Sequence, residues 1–589
     1  MNRTLWIPIA VALAFTTSPR EADACGGTFC DAGPTSMPVD QTGENILFAM
    51  GGDYTEAHIQ IQYDPNTTAA TFAWVVPMQS VPEFSVGSQA LFTSMLAGTV
   101  PAYGFAYQFD SCGDPGMTSP STTAASSAGD PGDTGSDSDP TGPGPEIVLE
   151  QTVGAFDITV LQGGTAQEVM TWLGDNGYEQ DPDAEPILAE YLAENYLFAA
   201  FKLTQGAETA EIHPITLRFD HDEACVPLRL TRIAAQDDME VRTFFLASDR
   251  VVPQNYKHVL VNPLKLDWPS LAANYKSVIT LAVDAFGADG KAFVTEYAGP
   301  ADVAIMPGIH DPSWSSAVFA GLPPVEVIDT LMAQGLVFCD EFSQPKCTYV
   351  HALIEGLLTT HLPAPDGVAA DEFYACLSCY EDMIDVATWA EGAAFAAAMQ
   401  ERIVAPGLHA RGLLDEFPTL TRMYTTISPA EMTEDPFFWA NPALPDVDLR
   451  SAIATRRVLC NGDAVWTLPD GKEVYVPNDG AWPGFGEEMP YEEEISEIPE
   501  NGSPIMIIDN RATITGQLDA YNCALGWPAN ECGGAGTGGL GTGADSSGES
   551  GDSTGQDDDT AGCGCASDRS TTGAFALVGI ALLRRRKRR

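Results

Sequence analysis

Between Asn45 and Pro77 the chain carries three short runs that read as β-strands. Asn45–Met50 is apolar after its first residue. In the second run His58, Gln60 and Gln62 alternate with Ile59, Ile61 and Tyr63. Thr71–Pro77 is rich in aromatic and β-branched residues. Gly51, Gly52 and Asp53, then Asp64, Pro65 and Asn66, separate the runs with turn-forming residues. This pattern predicts a β-meander with one solvated face. His58 then shares the wet face with Gln60 and Gln62 and points to solvent or into a polar groove. Ser88–Ala97 reads as a short helix.

Downstream the two periodicities alternate. Ile147–Leu161 predicts strands. Thr165 and Glu168 form a capping-box pattern that opens a helix through Trp172, with Gly177 as its stop. Ile187–Asn195 reads as helix. Tyr196–Leu203, Ile212–Phe219, Val226–Ile233, Val241–Leu246 and His258–Asn262 read as strands. Asn274–Phe286 fits a helix and Ala292–Tyr297 a strand. From Pro324 to Glu416 the character is helical, including the Ala-rich stretch Trp389–Val404. Thr421–Ile427 returns to strand, and Ser428 with Glu431 repeats the capping-box spacing. Beyond Ser451 there are short strands at Arg457–Cys460, Glu473–Pro477 and Ile505–Ile508, around an acidic loop at Glu487–Glu500. The expected class is α+β: an N-terminal antiparallel β-rich part, a mixed α/β centre and a later helical subdomain at about 324–416.

Two stretches break the pattern. Residues 113–145 hold Gly, Pro, Ser, Thr and Asp with almost nothing apolar, so they cannot bury enough surface to offset ordering entropy. They read as a disordered low-complexity insert. Residues 533–562 have a similar composition and read as a flexible linker of about 30 residues, spanning roughly 30 Å as a coil. The predicted organisation is a signal peptide at 1–24, a β-rich part at 25–112, the insert, the remainder of the domain at 146–450, an extension at 451–532, the linker and a tail at 563–589. The extension either completes the main domain or caps it.

The segments CGGTFC, PVDQTGENILFA, AHIQIQY, FAWVVPM and VPEFSVGSQALF resemble a family of secreted bacterial proteins, domain of unknown function 2330. The likeness continues in TVGAFDITVL, NYKHVLVNPLKLDW, AFVTEYAG and LTRMYTTISPAEMTEDPFF, and so spans about 25–450 apart from the insert. That resemblance implies no activity and no site residues.

Both ends carry processing signals. Asn2 and Arg3 precede an apolar run from Leu5 to Phe15, and Ala22 and Ala24 stand where a signal peptidase reads small residues. Cleavage between Ala24 and Cys25 makes Cys25 the first mature residue. At the other end Cys563 and Cys565 precede an apolar run, Thr571–Leu583, and a basic block, Arg584–Arg589. Basic residues stay on the cytoplasmic side of a membrane. The run is about 13 residues, roughly 20 Å as helix against a hydrocarbon core of about 30 Å. The order of parts resembles the myxobacterial C-terminal sorting signal, MYXO-CTERM. The resemblance implies cleavage by a rhomboid-like or CAAX-protease-like enzyme and lipid attachment at Cys563 or Cys565, without choosing between them; the alternative, a plain anchor that is never cut, fits the short run less well. Signal peptidase and a sorting protease are the processing partners expected, and the tail is the membrane contact.

Charge sharpens this picture. The chain has 82 acidic and 28 basic residues. Taking off leader and tail removes 9 basic and 3 acidic residues, which leaves 79 acidic against 19 basic. Such a surface repels nucleic acid and anionic lipid, so neither is a partner of the folded part. Of 13 cysteines two lie in the tail, leaving an odd 11 outside the cytoplasm, where disulfides persist. Proximity pairs Cys25 with Cys30, Cys339 with Cys347, and Cys523 with Cys532.

The chemistry in the sequence is sparse. Cys376 and Cys379 have the spacing of half a zinc site, and Cys339, Cys347, His351 and His361 are nearby in sequence, but no matching second half follows. A redox role for the Cys376/Cys379 pair lacks a thioredoxin-like setting, and structural disulfides account for these cysteines as well. His58 is a weak catalytic candidate. The aromatic runs Phe72–Trp74 and Tyr103–Phe109 either line a groove or fill the core. There is no HExxH, GxSxG or P-loop. The sequence calls for no cofactor, no catalytic residue and no assigned metal ligand. It reads as an exported, surface-anchored envelope protein with a binding or structural role and an unknown ligand; the alternative is a secreted hydrolase acting on envelope or prey polymers.

Overall fold

The first two predicted strands pair with each other, and the third leaves them for another sheet. In the computed structural model, which describes residues 44–60, 73–111, 145–178, 182–204, 212–220, 223–233, 235–305, 307–340 and 346–528, β1 (Glu44–Met50) and β2 (Tyr54–Gln60) form an antiparallel hairpin. The third run, Ala73–Met78, instead pairs with Leu197–Leu203 in a separate four-stranded sheet. A flat meander would leave one apolar face uncovered. Crossing to a facing sheet buries Trp74 and Val76 against Ile46, Phe48 and Ala57 in one shared core.

The main sheet continues with β3 (Glu83–Val86), β4 (Ile215–Asp220), β5 (Met239–Ala247), β6 (Lys257–Val261), β7 (Ala292–Pro300), β8 (Thr419–Ile427), β9 (Glu492–Glu497) and β10 (Ile505–Asp509). Its hydrogen-bonded order is β10-β9-β6-β7-β8-β5-β1-β2-β4-β3, with Val447–Asp448 added beside β7. β1 runs parallel to β5 and β6 to β7; the remaining neighbours in that order are antiparallel.

Helices close both outer surfaces. They are α1 (Gln89–Thr99), α2 (Ala166–Asp175), α3 (Ala184–Ala193), α4 (Tyr275–Val283) and α5 (Ala405–Glu416). Leu91 and Phe92 of α1 and Ala410, Leu413 and Leu414 of α5 pack on Leu47, Ala49, Phe244 and Leu246 of the main sheet. Val169 and Leu173 of α2 and Ile187 and Tyr191 of α3 pack on Val75, Leu161 and Phe198 of the second sheet. The result is an α+β fold with helix, sheet, sheet and helix layers. The later helical part has its own core, including Phe319, Leu331, Leu357, Phe373 and Phe395.

The stretch beyond Ser451 is woven into this frame. It supplies β9 and β10, and its strand Ala452–Val458 runs parallel to Tyr103–Phe109. The acidic stretch expected as a loop therefore contains a strand. Glu493 meets Lys472 and Glu494 meets Arg511, so cations from outside the segment neutralise it.

Three other expectations are corrected. The apolar run Val226–Ile233 is not a strand but ends in a helical turn, Leu228–Thr231. The buried Asp435 carboxylate accepts from Arg229 N at 2.8 Å and Nε at 2.9 Å and pins that turn. Ser428 and Glu431 form half a capping box, with the Ser428 N–H donating to Glu431 Oε2 at 2.7 Å, but a turn follows instead of a helix. The Ala-rich stretch is broken at Ala390, Glu391 and Gly392, which all have positive φ. By contrast the Thr165/Glu168 capping box forms in full. The stretches read as signal peptide, linker and sorting tail, and the insert up to residue 144, lie outside the described residues. Among the described residues no helix is long and apolar enough to cross a membrane.

Candidate metal centre

Side chains alternate across a strand, so Tyr54, Glu56 and His58 of β2 project from one face of the main sheet. The antiparallel register sets Thr216 of β4 opposite His58 and Arg218 opposite Glu56. It then sets Ser85 of β3 beside Thr216 and Glu83 beside Arg218. This face is apolar in the centre of the sheet, at Leu47, Ala49, Phe244 and Leu246, and turns polar toward the β3 edge.

Helix α5 crosses that polar region. Its apolar side holds it to the centre of the sheet, and His409 comes down over β2. The chain enters α5 through a π-helical turn, Gln400–Val404, just before Pro406. Proline has no amide hydrogen, so an α-helical ladder cannot run unbroken through it. At the far end the Tyr54 hydroxyl donates to Glu416 Oε1 at 3.3 Å. His409 and Glu416 are seven residues apart and share one face of the helix.

The polar groups converge on one carboxylate. His409 Nε2 lies 2.5 Å from Glu56 Oε1 and His58 Nε2 lies 2.8 Å from the same oxygen. Arg218 takes the other oxygen, Oε2, at 3.1 Å. The Arg218 guanidinium also stacks 3.6 Å over the Tyr54 ring, which holds it in place. His58 Nδ1 sits 3.2 Å from Thr216 Oγ1. The two imidazole rings are nearly parallel, with centroids 6.0 Å apart. Glu56 and His58 are buried, while the His409 side chain is 44% exposed and faces solvent.

Burial by itself would raise the Glu56 carboxyl. His409 and His58 more than reverse that and hold it well below the usual carboxylate range. The hydrogen bond to Glu56 pushes the His409 imidazole up, against its partial burial. Although close to Glu56, His58 Nε2 is off the hydrogen-bonding line and has no hydrogen-bond partner, an arrangement rare for a fully buried ring nitrogen.

One ligand atom from each of Glu56, His58 and His409 lies within 4.8 Å of the other two. Two imidazoles and a carboxylate suit zinc and related divalent ions. A tetrahedral ion with bonds of about 2.1 Å would hold its ligands roughly 3.4 Å apart, so binding would lengthen the two Glu56–histidine contacts by less than about 1 Å. A cleft of about 580 Å3 opens beside it, bounded by Glu83, Ser85, Gln151, Arg218 and His409. A second depression, reaching Val153 and Glu401, lies on the other flank of His409.

The residues singled out in the sequence lie elsewhere. Cys339 is bridged to Cys347 and Cys376 to Cys379, so those four sulfurs are not available as thiolate ligands. His351 is buried and accepts from the Leu353 N–H at 3.3 Å. Cys460 and Cys523 are disulfide-bonded, and Cys225 is the free cysteine among the described residues. Cys25, Cys30, Cys532, Cys563, Cys565 and Ala24 lie outside the described residues. His58, expected in solvent or a polar groove, is buried because α5 covers it. Of the two aromatic runs, Trp74 is core, whereas Tyr107 and Phe109 are exposed. Glu56 and His409 are not among the residues that the sequence singles out. The signal available was the Glu56-x-His58 spacing on one strand; nothing in the sequence ties His409 to it.

Residues 19–308 match the model of a family described as an uncharacterised protein conserved in bacteria, domain of unknown function 2330. Glu56, His58 and Arg218 fall inside the match. His409 lies beyond it, as does the likeness read on to about residue 450. No curated protein and no solved structure matches the chain.

Proposed function

We propose that this chain, which carries the domain of that bacterial family over residues 19–308, is an exported envelope protein that binds a divalent transition-metal ion through Glu56, His58 and His409. The observation that carries the reading is the convergence of two imidazole nitrogens on one buried carboxylate oxygen beside an open cleft. Arg218 holds Oε2 and leaves Oε1 to the metal. Thr216 fixes the His58 ring so that Nε2 is the ligating atom, the outer-shell arrangement common to ligating histidines. Export rests on the leader and tail patterns and is supported by the disulfides, which persist outside the cytoplasm. Surface anchoring rests on the tail alone.

One observation favours a second reading. Three protein ligands would leave a fourth position for water, and Glu56 and His409 line the cleft. A metal held there would supply activated water, chemistry that a secreted hydrolase can use.

Calorimetric titration of the chelator-stripped protein with Zn2+ tests the first reading. We expect one ion per chain, with affinity reduced at least about tenfold in His58→Ala and in His409→Ala, as removal of a ligand requires. Failure of the wild type to take up zinc, or unchanged affinity in both folded variants, rejects the site. Turnover of ester, peptide or glycan substrates that needs both zinc and His409 would select the hydrolase reading.

A further inference from the structure

An apolar cavity of similar volume occupies the other end of the main sheet, over β6, β7 and β9, away from the Glu56 cluster. It has a volume of about 580 Å3, within the range of small-molecule sites. Val261, Leu266, Trp268, Leu444, Leu449 and Ile498 form much of its wall. Arg250 and His258 line it too, with Thr295, Ser496 and the acids Asp470, Glu493 and Glu494.

Arg250 is only 8% exposed. Its NH1 donates to the Pro445 carbonyl at 3.0 Å, and its NH2 donates to Thr295 Oγ1 at 3.1 Å and lies 3.3 Å from His258 Nε2. Its Nε is buried and has no hydrogen-bond partner. Among the described residues no carboxylate forms an ion pair with it. The acids that line the cavity are committed to other cations: Asp470 and Glu493 to Lys472, and Glu494 to Arg511. Burial pushes the Arg250 guanidinium down to about 10, with Asp446 opposing that only in part. Burial and the neighbouring Arg250 push His258 down to about 3, so it stays neutral and adds no second charge. The cavity thus holds one buried guanidinium that no carboxylate contacts directly, beside a mostly apolar wall. That is a costly arrangement for a folded protein alone. An anion completes it.

We infer that this cavity binds a single-chain amphipath with a carboxylate head, of the fatty-acid class, its head on Arg250 and its chain along the apolar wall. The pairing is the charge-assisted bond that guanidinium and carboxylate form in two parallel contacts. The walls remove the chain from water, so affinity rises with chain length. The strongly negative surface of the protein does not favour anions in general, which leaves the apolar chain as the means of selection.

The test uses the full chain with dansylaminoundecanoate as fluorescent probe and a series of saturated fatty acids and the matching alcohols as competitors. We expect saturable binding of one probe per chain. Competition by the acids should strengthen by roughly fourfold per added methylene until the cavity is filled. Each alcohol should compete at least about tenfold more weakly than its acid, because it cannot form the charge-assisted bond. Arg250→Met should bring the acid down to the alcohol. Absence of saturable binding, or acids and alcohols competing equally, overturns the inference. So does unchanged acid affinity in a folded Arg250→Met. The comparison of acid with alcohol needs only the wild type, so a variant that fails to fold does not remove the test.

Discussion

His58 and His351 are both buried, and their surroundings give them opposite roles. His58 stands beside a carboxylate and a second imidazole. His351 is enclosed by apolar groups, with Trp314 edge-on to its ring and one backbone N–H donated to it. Burial pushes His351 down to about 4 from its ordinary 6.5. The folded state therefore keeps it neutral where the unfolded chain takes up a proton. The stability tied to that neutrality is complete above pH 6.5 and is lost as pH falls toward 4. At about 1.4 kcal/mol per pKa unit, the loss is about 3 kcal/mol. Urea unfolding of wild type and His351→Gln at pH 7 and pH 4 should show the wild type losing about that much relative to the variant. Equal losses in both would mean that His351 is not held neutral. Neither role was legible from the histidines themselves. An alternating strand reads the same whether a helix covers its polar face or water does.

At the scale of elements the site depends on how α5 lies against the rest. A Cβ at Gly407 would stand 2.2 Å from the Ile309 carbonyl oxygen, so the helix touches that backbone directly and only glycine fits. Gly412, on the same helix, faces open space. Gly407→Ala should therefore push α5 away, destabilise the protein by about 1–3 kcal/mol and weaken zinc binding by displacing His409. Gly412→Ala should stabilise it by about 0.5–1 kcal/mol and leave zinc binding unchanged. Unfolding curves and zinc titrations of the two variants check this; equal behaviour would remove the helix position as a determinant of the site. Elements whose signals are local appeared where expected, as with the Thr165/Glu168 capping box that opens α2. The Ser428/Glu431 pair has the same spacing and ends in a turn, because Pro436 and the strand Phe437–Ala440 follow before a helix can extend. The β9 strand was hidden for a related reason: its glutamates find their cations in Lys472 and Arg511.

At the scale of the whole molecule, the ends and the folded part make separate statements. The destination proposed from the two ends is testable without reference to the metal. Intact-mass and terminal-peptide analysis of protein from cell-surface fractions should find a chain that starts at Cys25 and ends at Cys563 or Cys565 with added lipid mass. A chain that still ends at Arg589 would refute sorting and leave the tail as an anchor. Net charge and the α+β class were open to the sequence because each depends on composition or on residues close together in the chain. The assignment of Ala73–Met78 to a second sheet, the reach of 451–528 into the main sheet and the meeting of Glu56, His58 and His409 were decided by tertiary structure. Each arises from covering an apolar face, and the hydrophobic effect specifies how much surface is buried, not which distant segment buries it.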